Sequence, residues 1–340
     1  MTVLGVNPIT SKTWINSDIN NSLTYEIPIT PNKGVSKIDL EMHFTPVGVG
    51  AFTLAQLVNP IASIKISDNN KDLFDLKAYE LVLLDFLLNK NNPAQNLLYN
   101  DGTGYTPVTS STVVATGQEI VSIITLPVRI GKAQPTSKIV LEINLVNTTT
   151  KGWSQIGDFA TSSTSITGKF LASVTYDSDV IETFIGHSST EQGIGTDFMT
   201  TTAPPEKRKV RYCLLTDIGF WASQNGATNP YWFFNEAQFR QNLNYIPFDM
   251  NRFAFRQYMQ NYLDMDTDII LADTVTVAKN YFFFILPDLV MEANSRFALK
   301  NDSSLNVRQV IIEVLPDPAQ SANSALLSPA GARSLMAKLR

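Results

Sequence analysis

The chain has 340 residues, of which 44% are hydrophobic and 17% charged, and its formal net charge is −5. This apolar fraction excludes an intrinsically disordered chain, which combines low hydrophobicity with high net charge, and the negative charge excludes a general attraction of the body to nucleic acid. The single cysteine, Cys213, excludes an intrachain disulfide framework and any zinc cluster built from cysteines.

The first segments of the chain read as an extended arm followed by strands. Residues 1–22 are polar and contain no apolar h-region, so we expect an arm and no secretory signal. Segments 23–30 and 36–46 alternate apolar and polar residues around "PNKG", a pattern that predicts a β-hairpin. Segment 61–74 predicts a short strand that ends in an Asp-Asn-Asn turn.

A change of period then predicts a helix over residues 75–90, where apolar residues fall at helical spacing and Asn89 can end the helix. Alternating or apolar runs predict further strands at 119–131, 137–147 and 167–178. The Gly-, Thr- and Ser-rich text that follows, with its Pro-Pro pair, is typical of a linker.

The second half repeats this plan. A strand is predicted at 210–223, an aromatic-rich helical region at 231–263, and apolar strands at 281–290 and 306–316. The order "IITLPVRIG…SKIVLEINL" resembles "FFFILPDLV…NVRQVIIEVL", and the two Leu-Pro pairs lie 160 residues apart. A period this long indicates two similar β-domains rather than a solenoid.

These patterns predict an all-β chain of two tandem units, each with a short flanking helix. The predicted organisation is an N-terminal arm (1–22), a first unit (23–188), a linker (189–209), a second unit (210–315) and a C-terminal tail (316–340).

No catalytic or metal-binding motif stands out, and we predict no catalytic, cofactor-binding or metal-ligating residue. His43 and His187 have no His, Cys or Glu at metal-ligand spacing, so an ordinary strand position is favoured for His43. Cys213 lies in an apolar strand and is predicted to be a buried, inert thiol.

Two segments leave alternatives open. Asp264, Asp266 and Asp268 begin a calcium-loop pattern, but the Gly and Glu that such a loop requires are replaced by Ile269 and Val275, which favours a solvated turn. The aromatic residues 231–234 could form a sugar-binding platform, although packing of a helix onto a sheet explains such a cluster more simply.

The tail is predicted to form a short amphipathic helix that begins at Ser328 and Pro329, an N-cap followed by a proline at the first helical position. The residues that would face an anionic surface are Arg333, Leu335, Met336, Lys338, Leu339 and Arg340. Three positive charges without a negative one favour contact with a membrane leaflet or nucleic acid. The alternative is a helix packed on its own domain or a frayed tail.

Two successive β-domains, a polar arm, a tail rich in small residues and no active site form a recognisable set. The chain resembles the double jelly-roll major capsid proteins of tailless icosahedral viruses with an internal membrane, the lineage that includes tectiviruses and adenovirus. Its length is most similar to that of the bacterial and archaeal members. The resemblance extends from about Leu23 to Leu315 and depends on the order of elements, not on a diagnostic motif.

This resemblance implies two eight-stranded jelly rolls per chain and homotrimers of pseudo-hexagonal outline that assemble with neighbouring capsomers into an icosahedral shell. It also implies an inward arm and tail, with the tail at the internal membrane or a minor capsid protein. The protein would be made in the host cytoplasm and would reside in the virion, with no cofactor and no small-molecule substrate. The competing hypotheses are a tandem β-sandwich carbohydrate-binding or adhesin module, and a jelly-roll glycosidase with two paired carboxylates.

Overall fold

The computed structural model describes the chain in segments. They are residues 3–8, 12–15, 22–46, 61–89, 97–107, 118–132, 137–145, 166–193, 199–200, 209–217, 236–240, 248–251, 253–254, 257, 270–272, 275–276, 281–290, 296–300 and 305–315.

The described residues form a strand-rich structure with one helix of three turns. The strands up to the middle of the chain are β1 (Val3–Pro8), β2 (Lys12–Ile15), β3 (Ser22–Ile27), β4 (Gly34–Pro46), β5 (Ile61–Asp68), β6 (Lys71–Lys77), β7 (Leu97–Asn100), β8 (Tyr105–Pro107), β9 (Ile120–Leu126), β10 (Ile139–Leu145), β11 (Ile166–Asp177) and β12 (Thr183–Gly193), and helix α1 is Ala78–Asn89. The later strands are β13 (Met199–Thr200), β14 (Lys209–Asp217), β15 (Glu236–Arg240), β16 (Phe248–Asn251), β17 (Ile270–Ala272), β18 (Val275–Thr276), β19 (Tyr281–Val290), β20 (Arg296–Lys300) and β21 (Leu305–Leu315).

Two large sheets organise the chain. The seven-stranded sheet has the order β1-β11-β4-β9-β7-β8, with β2 also paired to β11, and the eight-stranded sheet has the order β19-β14-β21-β12-β6-β5-β10-β3. A four-stranded sheet, β13-β20-β15-β16, and the pair β17-β18 complete the described sheets.

The core of the first half lies between the two large sheets. Strand β10 alternates buried and half-buried residues, as expected for a strand with one face on a core. Its Leu141 lies opposite Tyr25 of β3 and Ile66 of β5, and Ile66 lies opposite Phe74 of β6. All four side chains of this row are buried, with at most 2% of their surface exposed.

Two tyrosines connect the sheets across this core. The Tyr25 hydroxyl, on the eight-stranded sheet, donates to the buried carbonyl of Phe170 on β11 at 2.9 Å. The Tyr176 hydroxyl of β11 donates in the opposite direction to the carbonyl of Pro28 at 2.5 Å. A buried tyrosine hydroxyl needs such a partner, so these bonds hold β3 over β11.

Helix α1 was predicted by its 3.6-residue period, and its presence is confirmed, although residues 75–77 belong to β6. Its first turn is capped by the Glu80 carboxylate, which accepts from the Lys77 amide at 2.8 Å. Asp85 is also buried and accepts from the Thr125 amide of β9 at 3.1 Å and from the Asn89 side chain at 2.8 Å. The pairing of β7 with β9 ends at Ser122. The helix therefore provides a partner for the Thr125 amide, a backbone donor of β9 that β7 does not reach.

The two halves share one topology. Along the eight-stranded sheet, β3-β10-β5-β6 is followed by β12-β21-β14-β19, and in the other sheets the order β4-β9-β7-β8 matches β13-β20-β15-β16. The matched strands also follow one another along the chain in the same order, with one exception. β6 comes directly after β5, whereas its counterpart β19 comes after β16. The matched set thus comprises eight strands in each half, four in each of two layers, and β1, β2 and β11 are additional strands of the first half.

The predicted repeat is correct for one of its two segments. Strands β10 and β21 occupy equivalent places, but the apolar strand β9 corresponds to β20 and not to β19. An apolar run that carries Leu-Pro predicts a strand. It contains no information on the pairing partner.

Two other predictions are wrong. Residues around "PNKG" do not form a hairpin, because β3 pairs with β10 and β4 pairs with β9 and β11 in the other sheet. The turn links the two layers.

The helical interpretation of 231–263 fails at β15 and β16, which pair with each other, while residues 253–254 and 257 are helical. Aromatic residues there produce apolar spacing that fits both periods.

The structure also describes parts of the predicted arm and linker. Residues 3–8 and 12–15 of the arm are the strands β1 and β2, and β12 continues to Gly193 inside the predicted linker. The domain boundaries themselves stay a prediction.

The predicted Asp-Asn-Asn turn is confirmed as a two-residue hairpin loop between β5 and β6. Asp68 lies opposite Lys71, and both loop residues have positive φ, 48° for Asn69 and 66° for Asn70. This is the geometry of a type I′ turn, which Asn and Gly tolerate and other residues adopt only with strain.

We expect Asn70→Ala to lower the free energy of unfolding by about 1 kcal/mol, because alanine must occupy the left-handed region. Asn70→Gly should stay within about 0.5 kcal/mol of the parent protein. Urea denaturation of the two variants checks this, and equal destabilisation by both would contradict the turn geometry.

Candidate assembly site at the junction of the two halves

The two halves meet at the centre of the eight-stranded sheet, where β6 lies parallel to β12. A bridge places Phe74 opposite Gly186, and Gly186 lies in turn opposite Ile312 of β21. Phe74 is 2% exposed and Ile312 is fully buried. The row of buried side chains in the first half therefore continues into the second half through one position that has no side chain.

Gly186 is required at this position by space. A Cβ atom on Gly186 would lie 2.6 Å from Cε1 and 2.7 Å from Cδ1 of the Phe74 ring, and 2.9 Å from Cδ1 of Ile312. Carbon atoms in van der Waals contact are about 3.5–4.0 Å apart. The Phe74 ring thus packs directly on the Gly186 backbone, an approach that any larger residue would prevent.

A second set of contacts lies beside this one. The Phe184 amide of β12 donates to the Arg129 carbonyl at 2.8 Å, and the Gly131 amide donates to the Thr183 hydroxyl at 3.0 Å. The Arg129 guanidinium carbon lies 5.8 Å from the centroid of the Phe184 ring, within cation–π range. The same ring contacts Tyr212 of β14 edge-to-face, at 6.2 Å between centroids. Phe184 therefore joins a segment of the first half to a strand of the second.

The connection between β11 and β12 is packed against the first half. A Cβ on Gly34 would lie 2.5 Å from the Ile130 carbonyl oxygen and 2.7 Å from that of Val180, and a Cβ on Gly131 would lie 2.6 Å from the carbonyl oxygen of Ile181. Val180 is 1% exposed. Backbone thus packs on backbone at both glycines, so the position of β12 is determined by close contact.

A polar cluster occupies the outer face of the seven-stranded sheet. The two His43 ring nitrogens face two carboxylates: Nε2 is in close contact with Glu41, and Nδ1 lies 2.9 Å from Glu119 Oε1. The Tyr105 hydroxyl donates to the other Glu119 oxygen at 2.5 Å. His43 is an ordinary strand residue, as predicted, but it lies between acidic groups that spacing in the sequence did not reveal.

Opposing effects act on Glu119. Burial favours its protonated form, but the hydrogen bond from Tyr105 and the adjacent His43 ring favour the carboxylate and together leave the pKa of Glu119 below its usual value. The same bond to Glu119, aided by partial burial, raises the pKa of Tyr105. The cluster thus holds a charged carboxylate and a neutral phenol near neutral pH.

The structure brings few of the residues singled out in the sequence together. Cys213 is fully buried in β14, as predicted. His187 Nδ1 lies 4.0 Å from the buried carboxylate of Glu313, a neighbour that the sequence did not indicate. The tail residues 333–340, the aromatics 231–234 and the aspartates at 264, 266 and 268 lie outside the described residues.

Within the described segments, no group of three or more His, Cys, Asp or Glu side chains is arranged to hold a metal ion. The one long described helix, α1, lacks the length and apolar character needed to cross a bilayer, and no other helix among the described residues has them.

Solved structures with the same arrangement of strands exist. No protein-family model and no curated protein matches the chain. The crystal structure of the STIV MCP, a double jelly-roll major capsid protein, is 12% identical in sequence and superimposes with a TM-score of 0.64 over 95% of this chain and 100% of that one. The fold is a double jelly roll.

Two further structures agree. The atomic structure of Sulfolobus Turreted Icosahedral Virus contains a chain 13% identical, with a TM-score of 0.62 over 98% of this chain and 96% of that one. A quasi-atomic model of the PBCV-1 virus capsid matches at 10% identity, with a TM-score of 0.51 over 92% and 95% of the two chains. The resemblance in fold that the sequence indicated is confirmed.

In this double jelly roll, Phe74 and Gly186 lie where the two rolls meet. Sequence reasoning did not select Phe74 or Gly186. A glycine inside a strand is a signal of close backbone approach, and "IGHSS" contains one. The residues that follow Gly186 are mostly small and polar, so the sequence pattern does not distinguish this strand position from a loop.

We expect Gly186→Ala to lower the free energy of unfolding by about 1–3 kcal/mol, the usual cost of overpacking a core. Phe74 is buried and its ring cannot move aside without displacing its neighbours. Gly104→Ala is the matched control, because a Cβ there would meet no atom within 4 Å. Chemical denaturation measures both.

A double variant tests whether the clash with Phe74 is the cause. Phe74→Leu in the Gly186→Ala background should be destabilised by clearly less than the sum of the two single changes, since leucine removes the ring atoms nearest to the new methyl group. Additive effects would show that the two positions are independent.

The pH dependence of stability should report on Glu119. Because its pKa is lowered in the folded state, the unfolded chain takes up the proton first. The contribution of Glu119 to stability is therefore present above its unfolded pKa, about 4.3, and is lost as the pH falls through the lower folded value. Glu119→Gln should reduce the dependence of the thermal-unfolding midpoint on pH in this acid range. Tyr105→Phe should reduce that dependence by a smaller amount. An unchanged profile in both variants would exclude this role.

Proposed function

We propose that this protein is a viral major capsid protein that assembles as homotrimeric, pseudo-hexagonal capsomers into an icosahedral shell. The observation that carries the proposal is the match to the STIV MCP over 95% of this chain and all of that one. A shared jelly-roll fragment would leave much of one chain unmatched. Here both rolls, in the same arrangement, correspond.

The junction gives this proposal a physical basis. Two rolls joined by one continuous eight-stranded sheet form a unit whose internal angle does not vary freely. Three such units around an axis present six rolls, which is a hexagonal outline. The close contacts at Gly186, Gly34 and Gly131 would hold that outline constant from one capsomer to the next.

The shell function requires no catalytic group. It requires complementary surfaces on copies of the same chain, and interfaces of this kind combine apolar and polar contact area. Low charge and a high content of uncharged polar residues suit such surfaces. We therefore propose self-association as the main interaction and the virion as the location of the protein.

We further propose that the basic tail faces the interior of the shell and contacts an internal membrane or a minor capsid protein. The support is the sequence pattern of Arg333, Lys338 and Arg340 beside Leu335, Met336 and Leu339. Apolar burial and attraction to anionic headgroups act together in a helix of this type.

The first experiment measures mass in solution by light scattering, for the full chain and for a version that ends at Asp317. We expect trimers from both and binding to anionic vesicles only by the full chain, because the tail supplies the positive charges. A monomer from both versions, with no further assembly, would overturn the capsid proposal and would direct attention to glycan binding by the aromatics at 231–234.

A charge-reversed chain with Arg333→Glu, Lys338→Glu and Arg340→Glu is the matched control for the tail. It keeps the length and apolar residues of the tail and should lose vesicle binding while remaining trimeric. Retained binding at moderate salt would show that the basic residues do not face lipid.

A further inference from the structure

The N-terminal strand is the name given to β1 and β2 together, which lie along the two ends of β11. β1 pairs with the end of β11 nearest Asp177, and β2 pairs with the end nearest Thr167. On its other side β11 pairs with β4 along all twelve of its residues. The N-terminal strand therefore covers the outer edge of the body of this sheet.

The registers of β1 and β2 against β11 differ by a small offset. Val3 lies opposite Asp177, Val6 opposite Thr175 and Lys12 opposite Phe170. The register against β11 shifts by one residue between Val3 and Val6, and by one more between Pro8 and Lys12. Each shift corresponds to one more residue on the N-terminal side than on β11. The strand is thus matched in register to β11 and to no other described strand.

This strand can leave without breaking any other ladder. In the described part of the sheet, β1 is the last strand in the order and β1 and β2 pair only with β11. Pro8 has no amide hydrogen, which is typical of a strand at a sheet edge. Removal of the strand would expose a twelve-residue edge on β11, a template for pairing with another chain.

We propose that this edge is a strand-exchange site, where the N-terminal strand of one copy pairs with β11 of a neighbouring copy in the capsomer. The inference rests on the proposed function, which supplies the neighbour. A second copy is the occupant that fits, because it brings the same residues in the same irregular register. Pairing between two copies forms the same backbone hydrogen bonds as pairing within one chain. The local concentration of neighbouring strands in the assembly therefore determines which of the two pairings forms.

The connection to the body is longer than pairing within one chain requires. Six residues, 16–21, separate β2 from β3, and six extended residues span about 20 Å. Strand β3 lies over β11, since Tyr25 bonds to the Phe170 carbonyl. Stacked sheets are about 10 Å apart, so pairing within one chain uses only part of this reach.

Disulfide trapping tests the proposal. Thr13 lies opposite Lys169, and paired residues in an antiparallel ladder have Cα atoms about 4.5–5.5 Å apart, within the range that a disulfide bridges. The double variant Thr13→Cys/Lys169→Cys is purified, its mass is measured by light scattering, and it is then oxidised and run on a non-reducing denaturing gel. Cys213 is fully buried and does not compete.

Exchange predicts chains cross-linked into dimers and trimers. A trimer that yields only internally cross-linked monomers would overturn the exchange and leave the capsid proposal standing, whereas a monomer before oxidation would overturn both. Thr13→Cys/Thr175→Cys is the register control, because Thr175 lies opposite Val6, and it should cross-link at least tenfold less. Equal cross-linking by this control would also contradict exchange in the stated register.

Co-expression of the two single variants with different tags is the second measurement. A disulfide between differently tagged chains requires the strand of one copy to reach β11 of another. The proposal would be overturned if mixed trimers contained no such disulfide while the double variant was cross-linked within single chains. This outcome does not depend on how the double variant folds.

Discussion

The aromatic ring of Phe74 packs onto the bare backbone of Gly186, and the relation between the two halves of this protein depends on that contact. With no side chain at Gly186, β6 and β12 approach closely enough for the eight-stranded sheet to continue from one jelly roll into the other. Phe184, held by the Arg129 carbonyl and packed on Tyr212, adds a second contact beside it. The proposed capsid function requires this constancy, because each degree of error in one subunit is repeated around a shell.

Buried polar groups connect the layers of this structure. Buried hydroxyls and carboxylates connect layers: Tyr25 and Tyr176 join the two sheets, and Asp85 joins the helix to β9. The cluster of His43, Glu41, Glu119 and Tyr105 lies on the outer face of the seven-stranded sheet. Its charges depend on mutual hydrogen bonds, so that face changes its electrostatic character in acid.

Predictions from the sequence were correct where one short segment contains the whole cause. The Asp-Asn-Asn turn, helix α1 and the apolar strands β10 and β21 follow from local residue types and periods. Predictions failed where a partner had to be named. Strands β3 and β4 flank a good turn and still belong to different sheets, and β19 resembles β9 without being its equivalent.

The sequence by itself determined that the chain is β-rich and that it is built twice on one plan. Only the tertiary structure decided which strands pair, where the two rolls join, and that the N-terminal segment lies along β11. The physical reason is that alternation and turn residues act over a few neighbours. The pairing of distant strands, such as Val3 of β1 with Asp177 of β11, depends instead on which buried surfaces fit together. Gly186 illustrates the difference, since its importance comes from a ring that is more than a hundred residues away in the chain.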